Sequence, residues 1–490
     1  MAGLLCSAAA AGAGEWRLRP EVALQAVYTD NLGLRPAGAE TGQLIGELAP
    51  GLQVEGRGAR QRTRLAYRAQ GLVYPGRAGL NRVYHRLDAR SELEPWRGRL
   101  DVGLRAQRYQ RSTSILGRVP LDNLSAVDRD RVTVLGIAPT LRLGTGRYVD
   151  ATLGYRWGRS RSTSRSLADA TQNAFTLSAV QGRAFARTRW SFYAARQDVR
   201  QRGRGRFLSE SVQLTVDRRM VGAWGLVLRG GHLNDRVPER YAINNGGYAS
   251  AGLSWRPSPH FQAEGTAGYR NRDAFVSFVP TRRTSLAARW TNRSVGLLAG
   301  TTLNASFSQR IRRLSLVLDY GRTAGNQQLL QFQGRQFFFL ADRQGRPVLD
   351  ASGFPVILFQ DVFSLTDRTF VQKQGRLSLL YSRPRSQWLL AAFQSRRRLL
   401  GGEGGTQRAS GATGSVRWRA GARTTLELRL ERTHRGQAGG TARYGTGELR
   451  LERRLSRRAS ASAAVTRYVR EGAGPSWREH RLTVGWHLSF

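Results

Sequence analysis

The stretch from Arg62 to Val73 reads RTRLAYRAQGLV and decides the fold. Its polar side chains, Arg62, Arg64, Arg68 and Gln70, fall on one set of alternate positions, and Leu, Tyr, Ala, Gly and Val fall on the other. Alternation with a period of two places the two sets on opposite faces of a β-strand. The sequence therefore predicts a strand with one charged face and one apolar face.

The segment from Arg99 to Gln107 argues against a helix. Its apolar residues run from Leu100 to Ala106 at every second position. In a helix a step of two residues turns about 200°, so these side chains would lie on opposite sides of the cylinder. Only a strand brings them onto one face. The same alternation recurs at 86–94, 149–157, 426–431, 448–452 and 482–490.

The composition is uniform from about Glu15 to Phe490, and no run of 18 or more apolar residues is present. Many strands with one apolar face suit either a soluble sandwich or propeller, or a barrel whose apolar face meets lipid. Dense charges of both signs on the polar face, and short connections alternating with long ones, favour the membrane barrel. We therefore predict an all-β chain: a transmembrane antiparallel up-and-down β-barrel in the outer membrane, with residues 15–490 as its single domain.

Large aromatic residues near the predicted strand ends are a further sign of a membrane barrel. Tryptophan and tyrosine concentrate at the two membrane–water interfaces, and we expect these rings to form girdles around the barrel. The residues are Tyr74, Tyr109, Trp157, Trp255, Tyr269, Trp290, Tyr320, Tyr381 and Trp418.

The predicted strand number depends on one irregular region. The alternation gives roughly 23 strands, but bacterial barrels normally have an even number. The rhythm of short and long connections fails between Thr291 and Tyr320, so we expect roughly 20–24 strands and prefer 22. The connection from Gly321 to Gly375 is unusually long. We expect it either to fold into the lumen as a plug or to stand above the barrel as a surface hairpin.

The N-terminal residues 1–14, MAGLLCSAAAAGAG, look like the remnant of a secretory signal: a short apolar run is followed by small residues suited to cleavage. The single cysteine, Cys6, lies in this segment. No disulfide is therefore expected in the mature chain.

The charge balance is strongly basic. Lys+Arg number 78 against 34 Asp+Glu, the formal net charge is +44, and Lys373 is the only lysine. Such a balance implies anionic partners. Nucleic-acid readers carry a basic face on a compact motif with stacking aromatics, whereas here arginine recurs at strand period, so no nucleic acid is expected. The expected partners are outer-membrane lipids, lipopolysaccharide and an anionic polysaccharide.

Arginines at predicted inward positions form the candidate binding site. Guanidinium groups bind carboxylates and phosphates through paired hydrogen bonds, so an arginine-lined pore favours anionic polymers. In the alternative interpretation these arginines pair across strands with Asp88, Glu92, Asp101, Glu427, Glu431, Glu448 and Glu452. The candidate residues are Arg62, Arg64, Arg68, Arg90, Arg99, Arg105, Arg156, Arg429 and Arg450.

No motif for catalysis or metal binding is present. The six histidines are scattered, without a His-Glu-x-x-His motif or a pair at metal spacing, and no cysteine cluster exists. We therefore expect no metal, no cofactor and no enzymatic activity. The alternative, a barrel enzyme that modifies lipid or peptide at the cell surface, would use acid–base residues of the outer loops, such as His232 with Asp235.

Several short motifs carry a family resemblance. They are Tyr28-Thr-Asp-Asn-Leu-Gly-Leu34, Ala49-Pro-Gly-Leu52, Gly58-Ala-Arg60 and Leu65-Ala-Tyr67, with further matches at 93–101, 255–259 and 307–313. The chain resembles the PEP-CTERM system-associated outer-membrane β-barrel family, found beside exopolysaccharide biosynthesis genes. The resemblance implies a pore or surface scaffold for a surface polymer. A structural barrel with a plugged lumen remains the other alternative.

The C-terminal end resembles the signal that the barrel-assembly machinery recognises. Trp486, Leu488 and the terminal Phe490 place apolar side chains on alternate positions of the last predicted strand. We therefore expect the assembly machinery to be a further partner.

Overall fold

The chain forms antiparallel strands along most of its length. The structure describes residues 14–112, 129–144, 146–163, 168–203, 205–239, 241–325, 338–339, 357–359, 369–401, 405–437 and 440–490. The strands of the N-terminal half are β1 Glu15–Thr29, β2 Gln43–Arg57, β3 Gln61–Val73, β4 Arg82–Trp96, β5 Leu100–Ser112, β6 Arg129–Gly144, β7 Val149–Ser162, β8 Ala170–Gln181, β9 Thr188–Gln201, β10 Gly205–Arg219, β11 Trp224–Arg236 and β12 Gly246–Ser258.

The remaining strands are β13 Phe261–Gly268, β14 Asn271–Thr281, β15 Thr284–Arg293, β16 Gly300–Ile311, β17 Leu314–Gly325, β18 Phe338–Phe339, β19 Ile357–Phe359, β20 Phe370–Ser382, β21 Ser386–Leu399, β22 Thr406–Arg419, β23 Thr424–Gln437, β24 Gly440–Arg454, β25 Ala459–Gly472 and β26 Trp477–Ser489. A single 3-10 turn covers Ala78–Leu80. Within the described ranges, no helix has the length and apolar character needed to cross a membrane.

In this computed structural model, 24 strands form one sheet that closes on itself. Each strand pairs with the next along the chain, β17 pairs with β20, and β26 pairs with β1. At the closure Glu21 lies opposite Ser489, and Thr29 lies opposite Arg481. A circular ring of this strand number is roughly 45–50 Å across from backbone to backbone. The predicted all-β up-and-down barrel is confirmed.

The two faces of the sheet differ as the alternation predicts. In β1, Glu21, Val27 and Thr29 are buried, whereas Leu24 and Tyr28 between them are 45% and 51% exposed. Cross-strand partners share a face, so the register carries this division around the ring. Exposed leucines, tyrosines and tryptophans form the outward face, which meets lipid. The face rich in charged and polar residues lines the lumen.

The start of β1 and the end of β26 lie at the same edge of the barrel. Bacterial barrels have their short turns on the periplasmic side, so we call this edge the inner end. The connections at the inner end, named here the inner turns, are 58–60, 97–99, 145–148, 182–187, 220–223, 259–260, 282–283, 312–313, 383–385, 420–423 and 455–458. The other connections form the outer end.

The preferred number of 22 strands was wrong, and the reason is the chemistry of one turn. β16 and β17 are joined by Arg312 and Arg313 alone. Arg312 takes a φ of 43°, a conformation that usually falls to glycine or asparagine. An Arg-Arg turn carries no sequence signal. In addition, the outer connections 269–270 and 294–299 are almost as short as inner turns, which removes the expected rhythm.

One further expectation is corrected, and another falls almost entirely outside the described residues. The long connection is shorter than Gly321 to Gly375, because β17 continues to Gly325 and β20 begins at Phe370. Most of it lies outside the described residues, so the choice between a plug and a hairpin stays open; within it, β18 and β19 pair with each other. The proposed signal remnant falls outside the described residues except for Gly14.

The aromatic girdle is present only in part. Trp255, Tyr381 and Trp418 lie near the inner ends of their strands, on the outward face. Tyr74, by contrast, is 2% exposed in a cluster with Leu72. Tyr109 packs against a second buried cluster, on the lumen face. Not every aromatic residue near a strand end therefore faces lipid.

Candidate functional site: the inner rim and the lumen wall

Arginines are concentrated in the inner turns. Every inner turn except 220–223 and 259–260 contains at least one arginine, and none contains an aspartate or glutamate. All of these arginines are exposed. We call this set the inner rim; it comprises Arg60, Arg97, Arg99, Arg147, Arg183, Arg187, Arg282, Arg283, Arg312, Arg313, Arg383, Arg385, Arg423, Arg457 and Arg458.

Some arginines of the inner rim are positioned by aromatic rings. The guanidinium carbon of Arg99 lies 5.0 Å from the centre of the Trp96 ring. Arg383 lies 5.4 Å from the ring centre of Tyr381, and its Nε donates a hydrogen bond of 2.6 Å to the hydroxyl of that residue. Such cation–π contacts contribute about 0.5–1 kcal/mol at exposed sites. Arg99 was predicted to line the lumen, but it lies in the turn 97–99 at the edge of the barrel.

The other predicted arginines lie on the lumen face, where the structure places three of them side by side. Arg64 on β3 is the register partner of Arg90 on β4, which is also the partner of Arg105 on β5. Neighbouring strands are about 4.8 Å apart, so three cations follow one another across the wall. Arg64 bonds Glu55 at 2.8 Å, and Arg90 lies 3.2 Å from Asp88.

The wall next to Arg105 is formed by glycine. The next partners in register are Gly136 and Gly158, which have no side chains to fill the space. Arg156, two residues from Gly158, is exposed there. Neither Arg156 nor Arg62 forms an ion pair with any residue in the part of the chain that the structure describes. These two guanidinium groups are available to an anion in the lumen.

Arg68, Arg429 and Arg450 have different surroundings. Arg68 lies opposite Arg86 on β4. Arg450 lies opposite Glu427 and forms an ion pair of 2.8 Å with Glu448. Arg429, in turn, lies opposite Glu448 and 4.0 Å from Glu431.

The lumen wall therefore has two electrostatic sectors. On β23 and β24 opposite charges alternate, as the pairing interpretation expected. On β3 to β5 the like charges of Arg64, Arg90 and Arg105 lie beside one another, although Arg62 lies opposite Glu92.

A second set of lumen arginines was not predicted. In the outer half of the wall, planar guanidinium groups stack on aromatic rings. The edges of these groups are engaged within the chain: Arg397 donates a hydrogen bond of 3.0 Å to Gln372, and Arg481 pairs with Glu479 at 2.7 Å. Their carbon-to-ring-centre distances are 3.9 Å for Arg293 and Tyr248, 4.0 Å for Arg397 and Phe370, 4.9 Å for Arg435 and Tyr444, and 5.1 Å for Arg481 and Tyr468. An aromatic residue on the charged face of a strand was the sequence feature that could have predicted these contacts.

A buried charge network was also missed by the sequence reasoning. Arg229 on β11 bonds both Glu264 on β13 and Asp273 on β14, and all three side chains are less than 10% exposed. Asp273 also accepts hydrogen bonds from Arg289 at 3.1 Å and from Thr291 at 2.8 Å. Removing one partner from such a network leaves a buried charge unpaired. The network therefore holds the wall together rather than offering a free cation.

The outer end of the lumen is narrowed by loops. The backbone N–H of Leu297, in the connection 294–299, donates a hydrogen bond of 2.7 Å to Asp235 on the lumen face of β11. Leu297 and Val237 pack against a buried cluster that includes Val132 and Phe207. A second apolar cluster, around Val27 and Ile45, is covered in the same way by loop residues Leu32 and Leu80.

One outer connection reaches across the mouth. Glu239 lies in 237–245, between β11 and β12, and accepts a hydrogen bond of 2.5 Å from the backbone N–H of Thr369, directly before β20. Tyr241 accepts one of 3.4 Å from Arg398 on β21. Since several strands separate β12 from β20 in the ring, this connection bridges distant parts of the outer rim.

Residues considered for catalysis are not brought together. His232 and Asp235 are three positions apart on β11 and therefore face opposite sides; His232 is outward and Asp235 is inward. The ranges that the structure describes contain no group of three or more His, Cys, Asp or Glu residues able to hold a metal ion. Trp486, Leu488 and Phe490 are exposed on the outward face at the closure of the ring.

Comparison with known proteins gives structural matches only: no protein-family model and no curated protein matches the chain. The siderophore receptor PirA from Pseudomonas aeruginosa matches 97% of this chain and 80% of its own, with 10% identity and a TM-score of 0.41. The outer membrane protein OpdK from Pseudomonas aeruginosa matches 97% and 99%, with 11% identity and a TM-score of 0.34.

A loop-deletion mutant of OmpT, an outer membrane protein of Vibrio cholerae, matches 98% of this chain and 100% of its own, with 7% identity and a TM-score of 0.35. The closed 24-stranded sheet and its apolar outward face are, by themselves, those of an outer-membrane β-barrel. At these low similarities the matches say nothing about cargo.

Proposed function

We propose that this protein is a non-enzymatic pore through which an anionic surface polymer leaves the periplasm. The observation that carries the proposal is the inner rim, whose turns contain arginines and no acidic residue. A ring of one charge sign at the mouth of a low-dielectric wall raises the local concentration of oppositely charged molecules and speeds their capture. Its position at the periplasmic edge suits an entrance for export.

The lumen wall supports the proposal with further cations beyond the inner rim. Beyond the inner rim, a polyanion meets Arg62 and then the row Arg64, Arg90 and Arg105, with Arg156 exposed nearby. Carboxylate and phosphate groups fit these donors. The resemblance to barrels encoded beside exopolysaccharide genes favours an acidic exopolysaccharide as the polymer.

The outer loops favour a second candidate. Because 237–245 and 294–299 fold inward and cover part of the mouth, the barrel could instead hold the polymer at the cell surface as a scaffold without passing it. This alternative predicts polymer binding but no conductance.

Planar-bilayer recording of the purified full-length barrel tests the proposal. We expect an anion-preferring conductance that a soluble polyuronate blocks much more readily from the inner side than from the outer side. Replacing four inner-rim residues, Arg282, Arg283, Arg312 and Arg313, with glutamine should reduce the rate of block by about tenfold at low salt. The conductance of the unblocked pore should remain.

The matched control replaces four outward cations at the outer end, Arg322, Lys373, Arg396 and Arg408, with glutamine. This variant loses the same number of charges, and its block should equal that of the parent protein. A cation-preferring pore, or block that is equal from both sides, contradicts the proposal. Silence in the bilayer combined with tight polyuronate binding would establish the scaffold instead.

A further inference from the structure

A row of four cations crosses the outward face near the outer end. Arg322 on β17 is the register partner of Lys373 on β20, Lys373 is the partner of Arg396 on β21, and Arg396 is the partner of Arg408 on β22. Each step between strands is about 4.8 Å, so the four positions lie within roughly 15 Å. We call them the outer cation row.

The row borders the apolar band of the barrel. Tyr320, two positions before Arg322 on the same face, is 39% exposed. Leu390, six positions before Arg396 on β21, is 55% exposed, and Ala392 between them shares its face. On the opposite face of β21, Arg397 is buried in the lumen wall. The outer cation row therefore lies where the band that meets lipid ends, at the outer-leaflet surface.

The row has no anionic partner of its own. Lys373, Arg396 and Arg408 are exposed, and none of them forms an ion pair within the ranges that the structure describes. The guanidinium group of Arg322 donates hydrogen bonds to the backbone carbonyls of Ala299 and Thr301, and its backbone N–H donates one to Asn304. Like charges directly opposite each other across strands are destabilising. Four in succession therefore call for an external counter-anion.

A second group of outward cations, on β9 and β10, is paired with acidic residues of the chain itself. Arg196 on β9 lies 3.4 Å from Glu210 on β10, and Glu210 also accepts a hydrogen bond of 2.7 Å from Asn234. On the same strands, Asp198 pairs with Arg200 and, through two hydrogen bonds, with Arg206. These arginines face outward like the outer cation row, but the chain supplies their anions.

We infer that the outer cation row binds the phosphate groups of lipopolysaccharide in the outer leaflet. Phosphates offer several oxygens to neighbouring guanidinium and ammonium groups, and the apolar band beside the row receives the acyl chains of the same molecule. A membrane lipid can bind the cations and the apolar band at the same time, whereas a free anion or a soluble polymer can bind only the cations. The inference does not depend on whether the lumen conducts.

Lipid binding by the full-length barrel in zwitterionic detergent tests the inference. The probes are diphosphorylated lipid A, the same lipid without phosphate, and inorganic phosphate. We expect the triple variant Lys373→Gln, Arg396→Gln, Arg408→Gln to bind diphosphorylated lipid A at least about tenfold more weakly than the parent, since several charge-assisted contacts are lost. Lipid without phosphate and inorganic phosphate should bind weakly to both proteins.

The matched control is Arg196→Gln, Arg200→Gln, Arg206→Gln, which removes three outward cations that already have acidic partners. Its lipid A affinity should stay within about twofold of the parent, because surface pairs contribute little. Equal loss in both triple variants, no loss in the first, or inorganic phosphate bound as well as lipid A would overturn the inference.

Thermal unfolding gives an independent readout. Without lipid A, the Lys373 triple variant should have a Tm equal to or above that of the parent, because repulsion within the row is removed. With lipid A, the parent alone should gain stability. If the triple variant does not fold, Arg396→Gln and Arg396→Lys replace it, with loss of lipid binding expected only in the first. Polyuronate block of the pore should be unchanged in the triple variant. Failure of the lipid inference can therefore be distinguished from failure of the proposed pore.

Discussion

The two ends of the barrel differ in charge and in the path of their connections. The inner turns are short, exposed and cationic, and they contain no acidic residue. The outer connections include acidic residues such as Asp30, Glu40 and Glu239, and several fold inward over apolar clusters. In the proposed pore, the inner end would capture anions and the outer end would restrict passage.

The difference has a simple physical origin. A turn of two to four residues has its backbone committed to joining two strands, so its side chains project into water. Outer connections such as 30–42 and 294–299 return to the wall, where Leu32 and Leu297 gain by burial about 25 cal/mol for each Å² of apolar surface removed from water. The inner turns therefore present charged side chains to water, and the outer connections cover part of the outer mouth.

The largest expected effect concerns salt. The screening length falls from about 10 Å at 0.1 M to about 3 Å at 1 M ionic strength. The rate of polyuronate block from the inner side should therefore fall by at least about tenfold over this range. In the variant with glutamine at 282, 283, 312 and 313, the rate should depend less steeply on salt, because four of the cations of the inner rim are removed. An equally steep dependence on salt in the parent and the variant would show that the polymer is captured somewhere other than at the inner rim.

A change at the outer mouth should have an intermediate effect. Asp235 accepts hydrogen bonds from the N–H of Leu297 at 2.7 Å and from the hydroxyl of Ser209 at 2.6 Å. Asp235→Ala leaves both donors unpaired and should loosen the connection 294–299 by about 1–3 kcal/mol. Amide hydrogen exchange at Leu297 should then be faster by roughly tenfold or more, and single-channel conductance should rise.

The control for the outer mouth is Ser209→Ala, which keeps the hydrogen bond between Asp235 and Leu297. It should change the exchange at Leu297 much less than Asp235→Ala does. Unchanged exchange in Asp235→Ala would mean that packing of Leu297 alone holds the loop.

The smallest expected effect separates the two sectors of the lumen wall. Arg156 has no ion-pair partner among the described residues, whereas Arg450 pairs with Glu448 at 2.8 Å. Arg156→Gln should weaken polyuronate block by about twofold, the contribution of one exposed ionic contact, and leave stability within about 0.5 kcal/mol. Arg450→Gln should leave the block nearly unchanged. Equal effects would show that net charge alone, rather than availability, governs binding.

Much of the fold was predictable because its signal is local. Strand alternation depends only on which side of the pleat each residue takes, so the strand around Arg62 and the last strand to Phe490 could be assigned from sequence. Turns without glycine, proline or asparagine could not, and the Arg312–Arg313 turn concealed the correct strand number. Similarly, Arg99 follows the lumen alternation but lies one residue before β5 begins.

The sequence by itself determined that this chain is a closed sheet with one charged and one apolar face, since period-two alternation admits no other arrangement in lipid. Only the tertiary structure decided which charges meet. Register placed Arg64, Arg90 and Arg105 beside one another and Arg450 opposite Glu427, although all lie on the same face. Those neighbours are far apart in sequence, and only pairing between strands brings them together.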